Sequence, residues 1–257
     1  MVNQGLCRRI VDLARLSPSD RVVEIGPGRG ALTSLLIEQA GEVWAIEVDP
    51  IMAGRLREQF GDRPQFHLVE QDALRVDFEE LPAPFKVVAN LPYAVASPLL
   101  IRLLEARRSI PVMILMFQRE VAERLVAKPG SRTYGFLSIV AQLYAEVKLE
   151  LTVSPGSFRP PPKVDSTVVT VTPRPHPLIP VDDEAAFLRL VHHGFAHRRK
   201  TICNSLKHIP LPIRLTTEQV EALLDRAGLD PTRRPETLGL DEWGRLYRSC
   251  HVLDIEI

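Results

Sequence analysis

Only three of the 257 residues are cysteine, and Cys7, Cys203 and Cys250 form no Cys-x-x-Cys pair. That excludes a disulfide scaffold and points to reduced thiols in a cytoplasmic protein. Seven scattered histidines and these three cysteines make no ligand cluster, so no metal is expected. No apolar run is long. The longest, from Ile110 to Phe117, falls far short of the roughly 20 residues that a membrane helix needs. The stretch from Met1 to Arg15 carries Arg8 and Arg9 and lacks an apolar signal core, so it is read as a helix and not as an export signal. Neither sign of charge is in excess: 32 Lys plus Arg balance 32 Asp plus Glu, which argues against a uniformly basic nucleic-acid binder. What remains, 45% hydrophobic and 25% charged residues, is the composition of an ordinary globular chain of one or two domains.

The charge is unevenly spread. Residues 38–80 hold eleven acids and four arginines, whereas residues 187–214 hold six Lys or Arg, four His and no acid. An anionic partner is therefore expected near the later segment.

Short apolar runs alternate with helical patterns over the first two thirds. Arg21–Ile25, Val43–Glu47, Gln65–Val69, Phe85–Ala89 and Pro111–Phe117 read as strands buried on both faces. Ala31–Gln39, Ile51–Phe60, Ser97–Arg107 and Gln118–Ala127 read as the helices between them. This alternation predicts an α/β fold with a mostly parallel, doubly covered sheet. Two further strands, near Glu146–Val153 and Thr167–Thr172, suggest an antiparallel hairpin at one edge. Pro173, Pro175, Pro177 and Pro180 then mark a stiff boundary, so residues 1–175 are expected as one domain and 176–257 as a smaller, all-helical one. In the latter, Thr216 with Gln219 makes a capping box and Gly228 a helix stop, and Trp243, Leu246 and Tyr247 face inward on a last helix.

The first strand leads into Gly26-Pro27-Gly28-Arg29-Gly30. Glycines leaving a strand for a helix let a ligand approach the backbone and its free N–H groups. The pattern is not the dinucleotide G-x-G-x-x-G, because the third glycine comes one position early. Glu47 and Val48 end the second strand, where a carboxylate can accept both hydroxyls of a ribose. Asp72 and Ala73 follow the third strand, and a carboxylate there can accept an adenine amino group, although a loop acid or cap is an equally good reading. These residues predict a nucleoside cofactor and leave NAD and S-adenosylmethionine both open.

Asn90-Leu91-Pro92-Tyr93 closes the fourth strand. The Asn90 carbonyl and a main-chain carbonyl can together accept both N–H bonds of an amine on a planar ring. Drawing both hydrogens to one side leaves the nitrogen lone pair less conjugated and more able to attack a methyl sulfonium. Pro92 removes a donor and fixes the turn, and Tyr93 offers a stacking face. The plain alternative is a proline-terminated strand with Asn90 capping the next helix.

Taken together, these motifs resemble those of the S-adenosylmethionine-dependent ribosomal RNA adenine dimethyltransferases, and most closely their bacterial 16S branch. The resemblance covers nearly the whole chain. It includes Glu24-Ile25-Gly26-Pro27-Gly28, Asn90-Leu91-Pro92-Tyr93 and the run from Phe117 to Leu125. It also includes Phe158-Arg159-Pro160-Pro161-Pro162-Lys163-Val164-Asp165-Ser166, the run most specific to that family, and the segment from Arg198 to Leu206.

The resemblance implies a Rossmann-like class I methyltransferase sheet with a C-terminal helical RNA-binding domain. It implies S-adenosylmethionine as cofactor, held by Gly26, Gly28, Glu47, Val48, Asp72, Ala73 and Asn90. It implies dimethylation of the N6 amines of two adjacent adenines near the 3′ end of 16S ribosomal RNA, in the small subunit, as part of its maturation. Asn90, Leu91, Tyr93 and Phe158 would form the catalytic site, with Tyr93 and Phe158 sandwiching the extruded base. Phe158 has a plainer reading as a core residue ahead of a proline-rich turn. Arg198, Arg199, Lys200 and Lys207 would touch RNA phosphates, their plainer reading being a solvated face. A cytoplasmic monomer with no membrane partner is expected. The family also carries a Gln-x-Phe-Leu-type segment over the cofactor, just ahead of the helix that starts here near Asn3. Two other readings are a large-subunit relative of the macrolide-resistance type and a non-catalytic assembly factor that binds ribosomal RNA.

Overall fold

The computed structural model describes residues 4–197, 199–208, 215–253 and 255. Seven strands form one sheet: β1 (Arg21–Ile25), β2 (Glu42–Ile46), β3 (Phe66–Val69), β4 (Lys86–Asn90), β5 (Met113–Gln118), β6 (Ala145–Val153) and β7 (Ser166–Pro173). The order across the sheet is β3-β2-β1-β4-β5-β7-β6. Strands β1 to β5 are mutually parallel, and β7 joins antiparallel between β5 and β6. The expected hairpin is there, with its second strand on the inside. β5 therefore has neighbours on both sides, and its first five residues are all buried, which is why it reads as an unbroken apolar run.

Helices α1 (Gln4–Leu13), α2 (Thr33–Gln39) and α3 (Pro50–Phe60) share a core with sheet residues that include Val22, Val43 and Ile114. α1 buries Leu6, Cys7, Ile10 and Val11, one face at helical spacing. α3 starts where Asp49 caps it: the carboxylate accepts from the N–H groups of Ile51 (2.8 Å) and Met52 (3.4 Å), with Pro50 at the first turn. α4 (Ala96–Glu105) follows β4, and α5 (Arg119–Leu125) follows β5 directly.

Two compact units result: residues 1–122 with 145–175, and residues 123–144 with 176–257. The boundary read from the prolines coincides with the second crossing. The helical unit, however, also takes the segment 123–144 out of the stretch expected to belong to the sheet domain. That segment holds α6 (Phe136–Tyr144), a helix that the apolar and helical patterns of the sequence do not announce. Its core ties explain the recruitment. The Tyr134 hydroxyl donates to Leu238 O at 3.0 Å, and Gly130 N–H donates to Glu236 O at 2.7 Å.

The remaining helices are α7 (Glu184–Phe195), α8 (Ile202–Leu206), α9 (Thr217–Ala227) and α10 (Leu240–Val252). Trp243 lies fully buried against Phe195, their ring centroids 5.5 Å apart. Gly194 makes room for it, since a Cβ there would lie 2.3 Å from Trp243 Cη2. α9 carries the anticipated capping box and ends at Gly228, whose φ of 64° is the left-handed stop. Among the described residues no helix is long and apolar enough to cross a membrane.

Candidate active site

The sheet reverses its winding between β1 and β4, and open α/β sheets bind ligands at such a point, outside the carboxyl ends of the strands. Four strand ends meet there. β1 runs into Gly26, β2 into Glu47 and Val48, β3 towards Asp72 and Ala73, and β4 ends in Asn90.

Gly26, Gly28 and Gly30 all have positive φ, at 67°, 56° and 76°. Their neighbours differ. A Cβ at Gly30 would lie 2.7 Å from Phe60 Cε2, so this glycine lets the loop pack on α3. A Cβ at Gly28 would meet nothing within 4 Å, so that side of its backbone is open to a ligand. Gly26 faces the other motif: a Cβ there would be 3.7 Å from Pro92 Cδ and 3.9 Å from Asn90 O. The glycine loop and the Asn90–Pro92 turn therefore face each other, with room at Gly26 for no more than a methyl group between them.

Glu47 is buried, and each of its oxygens accepts a backbone N–H, Oε2 from Gly28 and Oε1 from Asp49, both at 3.0 Å. The carboxylate thus fixes the glycine loop, and each oxygen keeps a lone pair for a further donor. Val48 beside it is 69% exposed, an apolar surface next to that carboxylate. Asp72 is half-buried, and its Oδ1 accepts from Leu74 N–H at 3.0 Å in a tight turn, with its other oxygen left for a ligand. It caps none of the helices described here. Ala73 is half-buried beside it. The set offers acceptors for hydroxyl and amino groups around an open backbone loop, which fits an adenosine-bearing cofactor.

Asn90 is half-buried and does not cap α4, whose N-cap is Val95 without a side-chain bond. The strand does end ahead of Pro92, as the plain reading has it, but the capping half of that reading fails. Leu91 is 1% exposed, so its side chain belongs to the core and only its main chain faces the site. Tyr93 is half-exposed, and its hydroxyl lies 2.6 Å from Ser166 Oγ. Phe158 is buried in the sheet core with Val153, Met116 and Val168. Its side chain is thus a packing residue in this structure, as the plainer reading had it, and it is less open than Tyr93.

Two buried groups carry no role in the sequence motifs. Glu24, at 1% exposure in β1, receives a 2.6 Å hydrogen bond from the Thr33 hydroxyl at the start of α2. Burial pushes its carboxyl up to about 8, and the Glu47 charge adds to this against the Thr33 bond, so Glu24 is protonated at neutral pH. The signal available was an acid inside an otherwise apolar strand. The second group is Ser166, fully buried at the start of β7.

The expected RNA face lies in the helical unit. Arg199 and Lys200 are exposed ahead of α8, while Arg198 and Arg214 lie outside the described residues. His208 Nδ1 donates to Asn204 O at 2.6 Å, which leaves Nε2 to accept from Lys200 Nζ at 3.1 Å. Lys207 pairs with Glu221 at 3.9 Å and is only 26% exposed, so it is less available for a phosphate than Arg199 and Lys200.

Comparison with known proteins gives a consistent result. The family model described as ribosomal RNA adenine dimethylase matches residues 1–247. The ribosomal RNA small subunit methyltransferase A of Geobacter metallireducens is 41% identical, covering 98% of this chain and 93% of that relative. Among solved structures, a dimethyladenosine transferase from Plasmodium falciparum superposes with a TM-score of 0.82 at 27% identity, covering 100% of this chain and 98% of that one. The 23S rRNA methyltransferase ErmE gives 0.70 at 28% identity, covering 96% and 97%.

Proposed function

Because the chain belongs to the ribosomal RNA adenine dimethylase family, we propose that it dimethylates the N6 amines of two adjacent adenines near the 3′ end of 16S ribosomal RNA. The particle it acts on is the small subunit, during maturation in the cytoplasm, and the enzyme works as a monomer. The observation that carries this reading is that the glycine loop and the Asn90–Pro92 turn face each other at Gly26, where an added Cβ would already be 3.7 Å from Pro92 Cδ. It supports reading the loop as a cofactor-binding backbone and the turn as an amine-accepting motif of one site.

S-adenosylmethionine, when bound, supplies an electrophilic methyl on sulfur. Gly26 and Gly28 hold its methionyl side, Glu47 the ribose, with Val48 alongside, and Asp72 and Ala73 the adenine end. The Asn90 carbonyl and the Leu91 main-chain carbonyl accept the two N–H bonds of the target amine. This orients the nitrogen lone pair toward the methyl, and the proton that the amine loses on methylation goes to water. Two oriented acceptors act mainly by positioning, the effect by which enzymes convert a bimolecular step into a nearly unimolecular one. Tyr93 stacks on the extruded base, and Phe158 backs it from the core, which offsets part of the cost of unstacking. Arg198, Arg199 and Lys200 hold phosphates, with Lys207 contributing once it leaves Glu221.

The test is incubation with radiolabelled S-adenosylmethionine and undermethylated small subunits, followed by mapping of the label. Label on the two adjacent adenines is the expected result. Label in large-subunit RNA, or binding without any label, would overturn the reading.

A further inference from the structure

Two motifs far apart in the sequence meet through one hydrogen bond. The Tyr93 hydroxyl and Ser166 Oγ are 2.6 Å apart. Ser166 is fully buried in β7, opposite Gln118 of β5 and Val153 of β6. It is therefore held by a strand with partners on both sides. Tyr93, by contrast, sits in the turn between β4 and α4, which belongs to neither element. A buried hydroxyl without a partner is costly, so Ser166 and Tyr93 satisfy each other. The geometry matters more than the bond strength. A tyrosine ring in a turn swings about two side-chain torsions, and a bond at its far end stops the swing while leaving both faces free. A stacking platform needs that combination, since a base is captured by the face and positioned by the ring's rigidity.

We infer that Ser166 is a positioning residue for methyl transfer, acting by anchoring the ring of Tyr93. This rests on the proposed role of Tyr93 as a stacking face for the target adenine. The bond links Ser166, the last residue of the proline-rich run, to the reactive turn, and so gives that serine a task beyond packing.

Three variants test it: Ser166→Ala, Tyr93→Phe and the double variant, with Tyr93→Ala as a reference for the stacking itself. Each single change removes the bond and keeps the ring. Each should lower kcat for small-subunit methylation by roughly three- to tenfold, the ratio that one neutral hydrogen bond supplies. KM for the subunit and affinity for S-adenosylmethionine should stay constant, because neither phosphates nor cofactor contacts are touched. The double variant should lose no more than either single one. A purely structural role for Ser166 would instead leave Tyr93→Phe at full kcat, which overturns the inference. Multiplying losses in the double variant overturn it too. If Tyr93→Ala abolishes transfer while both milder variants keep full kcat, stacking stands and the anchor falls. If Tyr93→Ala keeps full kcat, the stacking reading itself falls, and the anchor with it.

Discussion

Glu24→Gln should make the protein more stable at pH 8 and remove a pH dependence that the native chain carries. The carboxyl is buried in β1 with one hydrogen bond from Thr33, and its pKa is raised to about 8. An unfolded glutamate titrates at 4.5. Between these values the folded state holds a proton that the unfolded state has released. Stability must then fall as pH rises, by about 1.4 kcal/mol per pH unit while both conditions hold. Below the unfolded value the cost is absent, and above the folded value it is complete. Because the group is fully buried, solvent screening does not dilute the effect, and the whole window amounts to several kcal/mol. Glutamine keeps the shape, still accepts from Thr33 and cannot ionise. The assay is urea unfolding of both proteins at pH 5, 6.5 and 8, taking the difference between them so that other titrating groups cancel. The variant should be close to the parent at pH 5 and clearly more stable at pH 8. A difference that does not change with pH would refute the reasoning. So would a carboxyl 13C titration of Glu24 with its midpoint in the ordinary carboxylate range.

The catalytic and RNA-binding assignments have their own tests. Asn90→Ala should reduce methyl transfer far more than small-subunit affinity, measured by single-turnover labelling and filter binding. A loss within about tenfold, or ~1.4 kcal/mol of barrier, would mean that Asn90 does not orient the amine. Reversing Arg198, Arg199 and Lys200 to Glu should weaken small-subunit binding without changing affinity for S-adenosylmethionine. The log–log salt slope should flatten by roughly 0.7–0.9 for each phosphate that is no longer neutralised, and parallel lines of equal affinity would make the patch a solvated face.

The central strands were legible because both of their faces are covered. Arg21–Ile25 matches its apolar run residue for residue, and β5 has no polar position until Gln118. The caps were legible for a local reason, since Thr216 with Gln219 and Gly228 act within one helical turn of themselves. α6 was not, because Phe136–Tyr144 is buried on most sides and is only nine residues long, with just Ser138 and Gln142 as polar positions to mark a helical period. Its transfer to the helical unit depends on partners about a hundred residues away, such as Leu238, and no window along the chain contains them. The site divides in the same way. Gly28, Glu47 and Asn90 could be found because each lies at or just beyond the end of a strand that is itself readable. The Tyr93–Ser166 and Glu24–Thr33 bonds could not, since each joins residues from different elements whose types alone do not declare a partner. Phe158 shows the converse limit: a motif marks it out, yet its burial in the core is visible only in three dimensions.

The position of β7 sets a schedule for synthesis. β6 pairs only with β7, and β7 is also the strand that closes the open side of β5. When residue 153 has left the ribosome, every parallel strand has emerged, yet β6 has no partner and β5 presents a bare edge. Nothing made up to that point can cover it, because the strand that does so begins at Ser166. The nascent chain thus passes through a stage with an unprotected, fully apolar edge, the kind of surface that recruits other strands. At translation rates of about 5–20 residues per second, that stage lasts on the order of a few seconds. A pause that falls after β5 has emerged and before β7 has emerged would lengthen the exposure, whereas one that falls after β7 has emerged would not.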